Sequence, residues 1–198
     1  MSAAYLRPDF DVVTRWVAHG ASVLDLGCGD GTLLDRLTRE RGVRGYGVEI
    51  ADAGVLASLR RGLDVVQADI DGGLHLFGDG AFDIVILSQT LQATRHTEAL
   101  VNEVLRVGAS AIVTLPNFGH WQVRWQLGVG GRMPVSKRLP YQWYDTPNIR
   151  VGTFADFELL ARRTGLAVSD SFGLHDGRIV RRWPNLMASV AVFRFEQR

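Results

Sequence analysis

Three acidic side chains, Asp25, Glu49 and Asp69, close three successive apolar stretches, and the first stretch runs directly into glycines spaced two apart, Gly27, Gly29 and Gly31. Carboxylates at such positions accept hydrogen bonds and attract cations, while glycines let the chain turn sharply and let a ligand lie against bare backbone. The stretch Val-Leu-Asp-Leu-Gly-Cys-Gly-Asp-Gly at 23–31 therefore reads as a nucleotide-cofactor loop.

Two loops of this kind differ in charge. A dinucleotide site presents a helix N-terminus to a pyrophosphate, which an acidic residue at the strand end would repel. Asp25 stands at that position. S-adenosylmethionine instead presents a sulfonium and an ammonium group, and a carboxylate beside the loop suits the ammonium. Glu49, eighteen residues beyond Gly31, ends the stretch 43–50 and is expected to accept both ribose hydroxyls; Asp69 ends the stretch 63–70, placed for the adenine amino group. The expected cofactor surface comprises Asp25, Gly27, Cys28, Gly29, Gly31, Glu49, Ile50, Asp69, Ile70 and Ser88, with S-adenosylmethionine or S-adenosylhomocysteine as ligand and no metal.

The segment Asp83-Ile-Val-Ile-Leu-Ser88 continues into Gln89-Thr-Leu-Gln92, an exit where open α/β sheets bind ligands. Gln89 and Gln92 can donate and accept hydrogen bonds, but neither is a general base at neutral pH, so no catalytic residue is assigned. Asn117, His120 and Tyr144 join them as candidate acceptor contacts.

These residues need a scaffold, and the hydrophobic periodicity supplies one. Phe10, Val13, Trp16 and Val17 recur at helical spacing, and a helix from about Asp30 places Leu33, Leu34 and Leu37 on one face. Strands rich in Val, Ile and Leu are expected near 22–26, 44–49, 63–68, 82–87 and 109–114. Residues 153–164 read as a helix capped by Thr153, with Phe154, Phe157, Leu160 and Ala161 facing inward. Two final strands at 166–173 and 186–195 form a hairpin across 178–184, with Arg181 and Arg182 in its solvated turn. The expectation is one domain over residues 1–198: a doubly wound, mostly parallel α/β sheet of seven strands.

Residues 116–150 break the pattern. They hold Trp121, Trp125 and Trp143 with Tyr141 and Tyr144, interleaved with Arg124, Arg132, Lys137, Arg138 and Arg150, while Pro134, Pro140 and Pro147 prevent one long helix. Aromatic rings with arginines suit a substrate cap or a protein interface. At 198 residues, 46% hydrophobic and formally +1, the chain can bury a core, and its charge gives no field for nucleic acid or an anionic membrane. Cys28 is the only cysteine, which excludes an internal disulfide, fits a reducing cytoplasm and reads as a small residue packed under the loop. The longest apolar runs, such as 84–87 and 186–193, are too short to span a bilayer.

The sequence resembles the MetW family of methionine biosynthesis proteins. The resemblance rests on 23–34, on Tyr-Gly-Val-Glu-Ile at 46–50, and on Val-Ile-Leu-Ser-Gln-Thr-Leu-Gln at 85–92. More specific are Leu-Pro-Asn-Phe-Gly-His-Trp at 115–121, Gly-Arg-Met-Pro-Val at 131–135 and the run from Leu139 to Arg150. Ala57 stands where family members often have cysteine, and no role is inferred from it. The resemblance implies a class I methyltransferase fold, with cofactor roles on Asp25, Gly27, Gly29, Gly31, Glu49 and Asp69. It also implies work in methionine synthesis beside a homoserine O-acyltransferase of the MetX type. The alternative expectation is an active methyltransferase on an unidentified small acceptor.

Overall fold

A computed structural model describes residues 7–136 and 139–196, so Lys137 and Arg138 lie outside the described residues. Helix α1 (Pro8–Trp16) leads into β1 (Ser22–Leu26), α2 (Thr32–Arg41), β2 (Arg44–Glu49), α3 (Asp52–Arg60) and β3 (Asp64–Gln67). Then follow β4 (Phe82–Ser88), α4 (Thr97–Val107), β5 (Gly108–Pro116), α5 (Trp121–Gly128) and α6 (Phe154–Thr164). The chain closes with β6 (Ala167–His175), β7 (Arg178–Val180), the single turn α7 (Pro184–Met187) and β8 (Val190–Glu196).

The strands form one sheet in the order β3-β2-β1-β4-β5-β8-β6-β7. The first five are parallel, while β8 is antiparallel to both β5 and β6. Alternation along each strand feeds two cores. Leu24, Leu26, Val85, Leu87 and Val113 pack with α4 and with Phe154 and Phe157 of α6 on one face. Val23, Ile84, Ile86 and Ile112 pack with Val13, Val17, Leu33, Leu34 and Leu37 on the other. Each such buried side chain contributes about 1.5–3 kcal/mol relative to exposure. The chain winds away from β1 in both directions, so the carboxyl ends of β1 and β4 flank the crevice where the strand order reverses.

The parallel half follows the sequence reading closely, although α2 starts at Thr32, after Gly31 in the left-handed region, rather than at Asp30. Thr153 caps α6 in a reciprocal box with Asp156. The antiparallel end needs correction, because the sheet has eight strands, not seven. Asp176 and Gly177 both adopt positive φ, 46° and 79°, and turn β6 directly into β7. That dipeptide is the residue pair a tight hairpin turn demands. Pro184 then starts a helical turn, so the last strand begins at Val190 rather than at 186, and 178–184 is not a simple turn. Arg181 bonds Asp170 at 3.1 Å and lies over the Phe172 ring. No helix among the described residues is long and apolar enough to cross a membrane.

Candidate functional site

Parallel pairing of β1 with β2 and β4 brings the three strand exits to one edge. The glycine loop is stitched to β2 by the Gly27 and Cys28 amides, which both donate to the Val48 carbonyl at 2.8 and 3.1 Å. Gly27, at φ 71°, has no room for a side chain, since a Cβ there would meet Thr90 Cγ2 at 2.6 Å. Gly29, at φ 58°, faces open space. The backbone thus offers an accessible floor beside the crevice.

Asp25 lies at the inner wall, 1% exposed. Its Oδ1 has no hydrogen-bond partner. Burial pushes its carboxyl up to about 7, the Arg7 charge pulls down, and Glu49 adds to the rise. A buried acceptor without a donor is costly, and its most direct relief is a cationic donor arriving from outside. Glu49 Oε2 accepts from the Gly29 amide at 2.8 Å, and Oε1 accepts from Ile50 and Ala51 at 2.9 and 2.8 Å. Of the roughly four acceptor positions of a carboxylate, one stays open. Asp69 caps the following single turn by accepting from the Asp71 amide at 2.9 Å, and Ile50 is exposed beside Glu49 while Ile70 packs on the core. Cys28 is buried, and burial together with the Asp25 charge pushes its thiol up to about 12, so it is no nucleophile at neutral pH.

At the β4 exit Gln89 is held at φ 56°, with its amide donating to the Thr114 carbonyl at 2.9 Å. Its Nε2 and the Oε1 of Gln92 are buried without partners. A donor and an acceptor are therefore free at one turn. The Gln92 carbonyl accepts from Ile149 and Arg150, which ties the end of the 116–150 segment to this exit.

The other three candidate contacts do not join them there. Asn117 is buried and its side chain is fully engaged: Nδ2 donates to carbonyls of Asn185 and Ala188 at 3.0 and 2.7 Å, and Oδ1 accepts from Gly119 and Phe154. His120 is buried and stacks on His175 at 4.8 Å, with burial and then His175 lowering its pKa. Tyr144 is exposed beside Trp143 on the outer face of the segment.

One cluster was absent from the sequence reading. Ser88 Oγ donates to Asp9 Oδ2 at 3.0 Å and accepts from Arg7 Nη2 at 2.6 Å, while Arg7 Nη2 reaches Asp9 at 2.7 Å and Thr114 Oγ1 donates to Asp9 at 3.2 Å. Burial raises the Asp9 pKa, but the Arg7 bond and charge and the Ser88 bond outweigh it and hold the carboxyl below its ordinary value. The signal was available. Asp9 precedes Val12 and Val13 by three and four, which puts it on the buried face of α1.

A parallel sheet that reverses at β1 and β4 and ends in an antiparallel β8 between β5 and β6 defines the class I methyltransferase fold. The S-adenosylmethionine-dependent methyltransferase of Mesorhizobium loti superimposes with a TM-score of 0.72 at 16% identity, over 96% of this chain and 98% of its own. One from Thermotoga maritima gives 0.70 at 17% identity, over 98% and 89%. The chain belongs to the MetW family: the family described as methionine biosynthesis protein MetW matches residues 7–195. The bifunctional methionine biosynthesis protein MetXA/MetW of Rhodopirellula baltica is 36% identical over 97% of this chain and 33% of its own length. The chain thus spans about one third of that relative.

Proposed function

We propose that this chain binds S-adenosylmethionine at the β1–β4 crevice and serves methionine synthesis as the accessory subunit of a MetX-type homoserine O-acyltransferase. The observation that carries the cofactor reading is Asp25, a fully buried carboxyl with an unpartnered oxygen beside a loop of bare backbone. Asp25 takes the ammonium, Glu49 accepts from the ribose diol through its open position, and Asp69 reaches the adenine amino group. Gly27, Cys28, Gly29 and Gly31 supply the floor, and Ile50, Ile70 and Ser88 border it. The group would supply an electrophilic sulfonium methyl. The chain's own residues bind and orient it, and a MetXA–MetW pairing within one relative supports the acyltransferase as partner. The chain works as one cytoplasmic unit in this reading, with Cys28 reduced.

The unpartnered amide atoms of Gln89 and Gln92 favour a second reading, methyl transfer to a small acceptor. Orientation alone can carry such a transfer when the acceptor is already nucleophilic. A binding fold does not by itself establish turnover. The deciding experiment is acyl transfer to homoserine by the MetX-type enzyme with and without this protein, across an S-adenosylmethionine titration. Stimulation supports the accessory role, and cofactor sensitivity makes the protein a sensor. No effect at saturating protein, with S-adenosylhomocysteine released from some acceptor, favours the second reading.

A further inference from the structure

The eighth strand leaves the sheet with an open edge at β7, which pairs only with β6. The two-residue turn at Asp176 and Gly177 makes His175 and Arg178 the hydrogen-bonded pair that closes the hairpin. Leu174 and Ile179, the next pair, are then of the non-bonded kind, so the Ile179 N–H and C=O both point away from β6. No loop or helix among the described residues takes them up. The side chains repeat the pattern. Leu174 is buried with Val12 of α1 and Phe172 of β6, whereas its cross-strand neighbour Ile179 is 48% exposed, so this core layer runs out to the edge uncovered. Just beyond, Trp183 is exposed and held at φ 52°, a conformation that bulky residues rarely adopt, and Arg182 lies over its ring.

We propose that this edge receives a second copy of the chain, β7 against β7 in antiparallel register about a two-fold axis at Ile179, joining two eight-stranded sheets into one. Such a pairing needs one outward N–H and one outward C=O on the residue at the axis, and Ile179 supplies both. It also sets the two Ile179 side chains beside each other on the face that carries Leu174. Charge selects this occupant over an unrelated strand. The edge carries Arg178 and Arg182 with Asp176, all exposed, and such charges keep a foreign strand away. Counted outward from Ile179, Arg178 falls opposite Val180 of the other copy and Asp176 opposite Arg182, so opposite signs meet twice and like signs never. The patch is thus complementary to itself, as a two-fold contact requires. It uses neither the cofactor crevice nor the segment 116–150.

The test is analytical ultracentrifugation of the full chain over a concentration series, comparing wild type, Ile179→Lys, Arg182→Glu and, as a control on the exposed face of α3, Leu59→Lys. One pair of backbone bonds over a small apolar centre is expected to give a wild-type dimer with Kd in the micromolar range, roughly 1–100 μM. Ile179→Lys should weaken it about tenfold or more, and Arg182→Glu, which sets acid against Asp176 at two places, about threefold or more. Leu59→Lys should stay within about twofold of wild type. A wild type that is monomeric at about 200 μM, or an association unchanged by Ile179→Lys or by Arg182→Glu, overturns the proposal. Should Ile179→Lys not fold, as judged by its thermal melt, Ile179→Cys decides. Directly opposed Cα atoms of a bonded pair lie about 5.5 Å apart, within reach of a disulfide, and Cys28 is buried. Covalent dimers that form without reductant in Ile179→Cys and not in Leu59→Cys uphold the β7 contact; equal cross-linking in both, or in neither, overturns it.

Discussion

Holding the Asp25 carboxyl in a dry wall beside Glu49 sets two opposed requirements on one residue. In the folded chain burial moves its titration from the ordinary 3.8 to about 7, so folding takes up a proton between those values. Its contribution to stability therefore falls as pH rises from about 4 to 7 and stays at its lowest above that. We expect Asp25→Asn to flatten this slope and to gain up to about 4 kcal/mol over wild type at pH 8, read from urea unfolding at pH 5 and 8. Binding shows the reverse dependence. A cationic ligand needs the ionised carboxylate, so wild-type affinity for S-adenosylmethionine should rise about tenfold per pH unit up to pH 7 and then level off. Calorimetry in buffers of different ionisation enthalpy would register the proton released below pH 7. Asp25→Asn should lose at least a hundredfold in affinity and all of the pH dependence. A variant that is more stable and yet unable to bind would identify the buried charge as functional strain.

At the scale of elements, the clearest division lies between the parallel half and the antiparallel end. Strands β1, β4 and β5 were legible because Val, Ile and Leu cluster in them as doubly covered strands require, and the shorter β2 and β3 were legible from the acidic residues, Glu49 and Asp69, at their carboxyl edge. The last third was less legible. The turn lies at Asp176-Gly177 and not in the longer polar stretch behind it, and Pro184 starts a helical turn that takes Leu186 and Met187 out of the final strand. Asn117 shows the same limit for a side chain, since a polar residue past a strand end reads equally well as a ligand contact or as a bracket. The structure uses it as a bracket between β5, α7 and the start of α6. Replacing Asn117 with Ala would strip partners from several backbone groups near the buried strand end. A loss of about 2–4 kcal/mol in urea unfolding is expected. Cofactor affinity, measured where the variant remains folded, should stay within twofold of wild type. A large change in affinity with little change in stability would return Asn117 to the binding site.

For the whole molecule, the segment 116–150 sets charge and apolar surface against the rest of the chain. It carries five basic residues against the single Asp145, while the chain as a whole is only +1, so the remainder is net negative. Val123 and Leu139 are buried, but most of its large apolar side chains are turned outward: Trp125 is 64% exposed and Trp143 72%, and with Val129, Met133 and Val135 they line an open groove. Trp121 and Trp125 are four apart on α5 and share a face. Large rings at the centre of a contact carry most of its energy, and arginines at its rim steer an acidic partner. If the chain is the accessory subunit proposed above and its partner docks on this segment, the partner's surface is expected to be apolar with an acidic rim. Trp121→Ala and Trp125→Ala should each weaken its binding by about 2 kcal/mol or more, roughly thirtyfold, by surface plasmon resonance. Both variants should abolish stimulation of acyl transfer at concentrations where wild type saturates, and both should keep wild-type affinity for S-adenosylmethionine, because α5 lies outside the glycine-loop wall. Raising salt should slow association more than it speeds dissociation. Wild-type binding by both variants would place the partner on another face and leave the aromatic segment to cap the Gln89–Gln92 turn instead.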